Sequence, residues 1–357
     1  MDTSVMITLG FLVFAIVMFA WEKIPLSITA MVVAVGLHLS GVLSAKEAFA
    51  GFVDPNVLLF MGMFVIGEAF FATGVAVGVG NVVHKFAKTE TSLLVAVMMI
   101  TGILSGFLSN TGTAAVLIPV IIGICKKSGF KQTKLLMPLV FAAAMGGNIS
   151  LIGAPGNMIA QAGLQQAGLG SFGFFDYGLV GLPILIVGTI FYATIGKRFL
   201  PDAPSHQPDG AFEGNEDYSH VPSWKKWTSA LVLILTVGAM IFEKQLGVKL
   251  YVSAWIGALV LVATNVISES AAVRSIDMKT IMLFAGSMAL GDAMVKTGTG
   301  SVIADIIVNS LGASPSPIVV LVVIFALGVF MTNFMSNTAT CALLVPIGLS
   351  LASQLGF

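Results

Sequence analysis

Two Ser-Asn-Thr tripeptides, at residues 109–111 and 336–338, interrupt apolar stretches of this 357-residue sequence. Each tripeptide follows a hydroxyl residue four positions earlier, Ser105 in the first case and Thr332 in the second. Hydroxyl and amide groups offer oxygen ligands to a hard cation, and they offer N–H and O–H donors to the oxygens of an anion. We therefore expect these residues to bind small ions, and the sequence contains no catalytic dyad that would indicate an enzyme.

A third polar break, rich in glycine, covers residues 146–157 and contains Gly147, Asn148, Ala154 and Pro155. None of the three breaks contains Lys, Arg, Asp or Glu. Ser, Asn and Thr also cap ordinary helices, and Gly and Pro end them, so one such segment alone would be weak support for a site. The two tripeptides occupy equivalent positions of an internal repeat, which favours an ion site.

The composition is that of a membrane protein. Hydrophobic residues make up 57% of the chain and charged residues 10%, whereas a soluble domain is about 25% charged. The mean hydropathy is +1.00, and several apolar runs reach the roughly 20 residues that a span requires. The net charge is zero and no basic cluster indicates nucleic-acid binding. Two cysteines predict neither a disulfide framework nor a metal site.

An internal repeat divides the chain. Residues 57–62 align with residues 281–286 at a shift of 224, and the tripeptides align at a shift of 227. We predict a first repeat at 1–198, a polar linker at 199–223 and a second repeat at 224–357. The linker is rich in Pro, Asp, Glu and His.

The first repeat predicts an odd number of crossings. We expect four spans, at residues 5–21, 24–43, 56–73 and 178–196. We also expect a re-entrant hairpin around residues 93–125 and a broken helix at 135–169. The first span has no basic residues before it and is interpreted as retained, not as a signal peptide. Five crossings invert the second repeat relative to the first. The fold class is thus an all-α polytopic membrane protein with an inverted repeat, two re-entrant hairpins and broken helices.

Charge predicts the orientation of this arrangement. Of the 17 Lys and Arg residues, thirteen fall on one side of the membrane and four on the other. Because basic residues concentrate in cytoplasmic loops, the linker is expected in the cytoplasm and the N-terminus outside the cytoplasmic membrane.

The paired tripeptides and the Gly-Gly…Ile-Gly-x-Pro-x-Asn break resemble the divalent anion:sodium symporter (DASS, INDY-type) family of the ion transporter superfamily. The resemblance covers essentially the whole chain. It implies an elevator-type transporter that works as a homodimer, has no cofactor besides coupling sodium ions, and carries a C4-dicarboxylate, citrate or sulfate.

The resemblance also implies roles for single residues. Sodium ligands would be Ser105, Ser109, Asn110, Gly147 and Asn148 at one site and Thr332, Ser336 and Asn337 at the other. Substrate would be bound by Asn110, Thr111, Asn337 and Thr338, beside Ala154 and Pro155.

The sequence departs from the family pattern twice. Residues 153–157 read Gly-Ala-Pro-Gly-Asn where the family commonly has Gly-Thr-Pro-Pro-Asn, which leaves the identity of the anion open. The counterpart of Gly147 in the second repeat would lie near position 374, so we expect that repeat to be truncated after its hairpin.

Two alternatives remain open at this point. A sodium-independent anion exchanger would use the same fold. A cation/proton antiporter or an arsenite-type permease is disfavoured, because acidic residues at the tips would support it and none occurs there. Neutral breaks favour sodium coupling, since helix N-termini contribute only about half a unit charge each and a co-bound cation would balance the anion.

Overall fold

The computed structural model describes residues 2–78, 89–201, 218–311 and 316–356, and it contains no strand within them. These ranges contain only part of the predicted linker at 199–223, whose residues 202–217 lie outside the described residues.

The α-helices, in chain order, are α1 (Thr3–Trp21), α2 (Leu26–Leu39), α3 (Ala45–Ala48), α4 (Pro55–Ala72), α5 (Glu90–Ser105), α6 (Asn110–Ser128), α7 (Thr133–Gly146), α8 (Pro155–Gln166), α9 (Gly178–Thr194), α10 (Ser223–Ile241), α11 (Glu243–Leu246), α12 (Leu250–Ala263), α13 (Glu269–Ser275), α14 (Met278–Thr297), α15 (Thr299–Leu311), α16 (Pro317–Met331) and α17 (Asn337–Leu355). Short 3-10 turns cover Ala50–Val53, Gly196–Arg198 and Tyr218–His220.

Five helices of the described ranges are long and apolar enough to cross a membrane: α1, α4, α10, α14 and α17. Seven shorter apolar helices accompany them: α2, α5, α6, α7, α9, α12 and α16. A helix pairs its own backbone N–H and C=O groups, whereas the lipid hydrocarbon offers no hydrogen-bond partners for them. The chain is thus an all-α polytopic membrane protein, as the composition predicts.

The first of two compact units comprises Met1–Leu58, Met158–Ser171 and Asp277–Phe357. Its centre is α14, which packs along α2 and is buried on most of its surface. Small residues allow the close approach: the backbone of Ala30 leaves no room for a Cβ on Gly286. Membrane helices pack in this way because close backbone contact maximises dispersion attraction between them.

The second unit comprises Leu59–Asn157 and Phe172–Ile276. Its core is formed by α5, α6, α7 and α9, with fully buried Leu93, Leu135 and Leu185. The backbones of α5 and α7 touch where Gly102 meets Gly146, and no Cβ fits at Gly146. A second pair, α10 and α12, packs within the same unit.

The helices that follow the two tripeptides are alike. Helices α6 and α17 are both 19 residues long, and each has a proline at its tenth position, Pro119 and Pro346. Helix α6 packs against α5, and α17 packs against α16. Each tripeptide therefore stands at the turn between two packed helices.

The interruption that we expect at the first tripeptide, residues 109–111, is displaced in the structure. The turn between α5 and α6 is formed by residues 106–108, and Asn110 already begins α6. The reason is local: the Ser109 hydroxyl accepts the Gly112 N–H at 3.1 Å, which starts a helix. Ser336 caps α17 in the same way through the Ala339 N–H at 3.2 Å.

Candidate functional site

The α7–α8 break is held open by one asparagine. Helix α7 ends at Gly146, and α8 begins at Pro155. The Asn157 side chain donates to the carbonyl oxygens of Gly147 and Ser150, each at 2.9 Å. The Tyr177 hydroxyl in turn donates to the Asn157 carbonyl oxygen at 2.7 Å. Buried carbonyl groups that have left the helical ladder thus find side-chain donors.

Hydrogen bonds join this break to the α5–α6 turn. The Ser105 hydroxyl donates to the carbonyl oxygen of Ala143, in the last turn of α7, at 2.7 Å. The Ser150 hydroxyl donates to the Gly106 carbonyl oxygen. Ser105 and Ser150 are fully buried. The turn and the break therefore form one structural element in which several of the carbonyl oxygens are paired with side-chain donors.

Asn110 lies at the centre of this element. One end of its side-chain amide is 2.7 Å from the Ser105 Oγ, 3.1 Å from the Gly153 carbonyl oxygen and 3.2 Å from the Ala143 carbonyl oxygen. All three neighbours are hydrogen-bond acceptors, so this end of the amide is the Nδ2 group and Oδ1 faces away. Gly147 lies beside the amide, and a Cβ there would come within 2.5–2.8 Å of its terminal atoms.

Other residues of the second unit's site are open. Ser109, Thr111 and Asn148 are exposed, and Ala154 and Pro155 are half-buried. The buried hydroxyl of Thr113 has no hydrogen-bond partner among the residues described. The Gly112 N–H in the first turn of α6 is paired with the Ser109 hydroxyl, and the N–H groups of Asn110 and Thr111 have no intrahelical acceptors and lie at the positive end of the helix dipole. This end of α6 can therefore bind an anion.

The second tripeptide, in the first unit, has a looser environment. The Thr332 hydroxyl and the Asn333 amide donate to the same carbonyl oxygen, of Val329, at 3.0 and 2.6 Å. Thr332 and Asn337 are exposed. The Asn337 side chain makes no hydrogen bond with any part of the chain that the structure describes. Asn110 and Asn337 therefore match in sequence and differ in how firmly they are held.

The structure distributes the twelve predicted site residues over its two units. In the second unit the α5–α6 turn and the α7–α8 break hold Ser105, Ser109, Asn110, Thr111, Gly147, Asn148, Ala154 and Pro155. In the first unit the α16–α17 turn holds Thr332, Ser336, Asn337 and Thr338. Their roles in binding sodium or substrate stay predictions.

Three residues that position the site were not assigned a role from the sequence. Asn157 and Ser150 fall within the predicted break, so their polar character there was a usable signal. No sequence signal marked Tyr177, because it lies 20 residues from its hydrogen-bond partner Asn157.

Charges lie away from both turns in sequence. In the first unit Lys296 Nζ lies 2.9 Å from both carboxylate oxygens of Glu47, and this hydrogen bond lowers the Glu47 pKa to about 2.

In the described ranges no group of three or more His, Cys, Asp or Glu residues is arranged for a metal ion. The site atoms are neutral oxygens and amide groups, which suit alkali cations and polar anions.

Comparison with known proteins identifies the family of this chain. Residues 16–357 match the CitMHS family, described as citrate transporter. The chain belongs to this family. The family description and the transporter names of the relatives below point to transport and not to catalysis.

Two relatives of this CitMHS chain are named as transporters. It is 33% identical over 211 residues to the uncharacterized transporter YfbS of Escherichia coli, covering 59% of this chain and 35% of YfbS. It is 24% identical to the sodium-dependent dicarboxylate transporter SdcS of Staphylococcus saprophyticus, covering 91% of this chain and 69% of SdcS. The chain thus spans about a third of the length of one relative and two thirds of the other.

A solved structure shares the fold. The YdaH transporter of Alcanivorax borkumensis, whose crystal structure is described as having an unusual topology, matches 98% of this chain and 83% of its own. The TM-score is 0.61 and the identity 15%. At this identity the likeness establishes the polytopic helical fold alone.

Proposed function

We propose that the chain is a secondary transporter that moves a di- or trivalent anion together with sodium across the cytoplasmic membrane. The observation that carries this proposal is the cluster of neutral oxygens around Asn110. The proposed substrate is a C4-dicarboxylate, citrate or sulfate. Family membership supports anion transport, and the name of the SdcS relative supports sodium dependence and dicarboxylates.

Charge balance is the physical argument for sodium. The three polar breaks contain no charged side chain. A helix N-terminus contributes about half a positive charge, which is less than a divalent anion requires on leaving water. Sodium ions bound by side-chain and backbone oxygens would provide the missing positive charge, and they would couple anion uptake to the sodium gradient.

We assign roles to the residues of each turn. Sodium ligands in the second unit are Ser105, Ser109, Asn110, Gly147 and Asn148. Those in the first unit are Thr332, Ser336 and Asn337. Substrate-binding residues in the second unit are Asn110, Thr111, Ala154 and Pro155, and those in the first unit are Asn337 and Thr338.

The remaining expectations rest on the resemblance and on the charge distribution. They are a homodimer, an elevator movement, DASS-type sodium symport, an N-terminus outside the cell and a cytoplasmic linker. Exchange of anions without sodium is the alternative that the same fold would support.

The proposal is tested by uptake into proteoliposomes that contain the full-length protein. Labelled succinate, citrate and sulfate are supplied with an inward gradient of either sodium or choline chloride. We expect uptake of one of these anions that requires sodium. Equal uptake in choline chloride, with a requirement for anion inside the vesicle, would identify an exchanger and exclude symport.

Two variants and one control relate transport to the turns. Asn110→Ala and Asn337→Ala are expected to abolish uptake. Asn265→Gly is the matched control, because Asn265 is an exposed loop residue with a positive φ of 55° that glycine readily adopts. Retained uptake in both alanine variants would show that the tripeptides only cap helices.

A further inference from the structure

Three oxygens converge on one end of the Asn110 amide. They belong to the Ser105 hydroxyl and to the carbonyl groups of Ala143 and Gly153, at 2.7, 3.2 and 3.1 Å. Ser105, Ala143 and Gly153 are buried. Converging oxygens that have been removed from water require a positive group between them or beside them.

The hydrogen-bond donors around the three oxygens show which group meets this requirement. The Ala143 carbonyl oxygen already accepts the Gly147 N–H at 3.1 Å and the Ser105 hydroxyl at 2.7 Å. The two N–H groups of Asn110 Nδ2 are then available for the Ser105 Oγ and the Gly153 carbonyl oxygen. The amide nitrogen thus supplies the partial positive charge that the cluster needs.

We propose that the Asn110 amide exchanges places with the transported cation. Without sodium, Nδ2 donates to the three-oxygen cluster. When sodium binds, the amide turns by half a rotation about its terminal bond, and Oδ1 joins the cluster as a fourth oxygen ligand. This inference rests on the proposed sodium coupling and adds the mechanism by which the cation-free site stays paired.

The surroundings permit such a rotation. The terminal torsion of asparagine is broad and roughly two-fold, so both orientations are accessible. Gly147 lies against the amide, and a Cβ there would be 2.5 Å from one of its terminal atoms and 2.8 Å from the other. Glycine at this position therefore leaves space beside the turning group.

The second turn has no such arrangement. Asn337 is exposed, and its amide has no oxygen cluster among the residues that the structure describes. Exchange between amide and cation is thus a property of Asn110 and not of Asn337. The matched control is Asn265, an exposed loop residue outside both turns whose positive φ of 55° is also accessible to aspartate.

Sodium binding without transport tests the proposal. The unfolding temperature of the purified full-length protein is measured in sodium chloride and in choline chloride, from pH 5.5 to 8.5. The proteins compared are the wild type, Asn110→Asp and Asn265→Asp. For the wild type we expect stabilisation by sodium with an apparent Kd that is independent of pH, because an amide does not titrate.

Asn110→Asp replaces the nitrogen donor by oxygen, so the cluster must hold either a proton or a cation. Sodium and protons then compete, and the apparent Kd for sodium should rise about tenfold for each pH unit below the carboxyl pKa. Asn265→Asp should show no such dependence. A pH-independent sodium response in Asn110→Asp would overturn the exchange while leaving sodium coupling intact. Absence of any sodium response in the wild type would overturn both.

A second measurement covers the case in which Asn110→Asp does not fold. The protein is labelled with 15N-asparagine, and the Asn110 side-chain signal is assigned by its loss in Asn110→Ser. Its Nδ2 protons should exchange slowly in choline chloride and at least several-fold faster in sodium chloride. Equal exchange rates in the two salts would overturn the proposal.

Discussion

The side-chain amide of Asn157 donates a hydrogen bond of 2.9 Å to the carbonyl oxygen of Gly147, ten residues earlier in the chain. A second bond from the same nitrogen reaches the Ser150 carbonyl oxygen. One buried side chain therefore replaces the helical hydrogen bonds that α7 loses beyond Gly146.

Asn157→Ala should destabilise the protein by about 1–3 kcal/mol, because it leaves two buried carbonyl oxygens without this donor. Asn157→Asp should cost more, since a carboxylate would face those oxygens. The unfolding temperature in detergent measures both effects. Asn148→Ala, at an exposed position of the same break, is the control, and an equal loss in that variant would contradict this role of Asn157.

Gly146→Ala should prevent folding or lower the unfolding temperature strongly. A Cβ at this position would overlap the backbone of Gly102, which cannot move aside as a flexible side chain would. Expression yield and thermal unfolding check this prediction. Gly123→Ala in α6 is the matched control, because no atom lies within 4 Å of its added Cβ. Alanine should stabilise that helix by about 0.5–1 kcal/mol.

Asn110→Ala and Asn337→Ala should differ in stability. Asn110 bonds to buried oxygens, so its loss should cost on the order of 1–3 kcal/mol. Asn337 is exposed, and its replacement should leave the unfolding temperature within the range of ordinary surface changes, about 0.5 kcal/mol. Thermal unfolding in choline chloride separates these effects from sodium binding. Equal losses in the two variants would show that both tips are held alike.

Glu47→Gln tests the exposed ion pair with Lys296. The hydrogen bond from Lys296 lowers the Glu47 pKa from 4.5 to about 2. A lowered pKa stabilises the folded state above pH 4.5, and this contribution disappears as the pH falls from 4.5 toward 2. Glu47→Gln should thus lower the unfolding temperature slightly at pH 7 and not at pH 2. The difference should shrink in concentrated choline chloride, because salt screens exposed pairs.

At pH 7, Asp54→Asn should change the unfolding temperature in the opposite direction to Glu47→Gln. Asp54 lies before α4 and accepts the Asn56 N–H at 2.8 Å, while burial raises the pKa of its carboxyl group. With a raised pKa, stability is highest below the ordinary value of 3.8 and falls as the pH rises through the folded-state value. Asp54→Asn should raise the unfolding temperature at pH 7 and lose this advantage near pH 3. Asp54→Ala, which removes the acceptor, should be destabilised at both pH values.

Much of the architecture was predictable from short stretches of sequence. Apolar runs predicted the spans at residues 5–21 and 178–196, and the helices found are α1 and α9. The glycine-rich break after residue 146 was predicted at its observed place. The α5–α6 turn was predicted a few residues too late, because Ser109 could be interpreted either as part of the break or as a cap.

Hydropathy, helix breakers and capping serines are encoded within a few neighbouring residues, so the sequence by itself determined which segments form apolar helices and, to within a few residues, where they end. Partners across the fold are not encoded in this way. Ser105 meets Ala143 across 38 residues, and Tyr177 meets Asn157 across 20. Only the tertiary structure decided that the Asn110 amide is held by hydrogen bonds while Asn337 is exposed. The orientation of an amide depends on acceptors that packing brings together from distant segments.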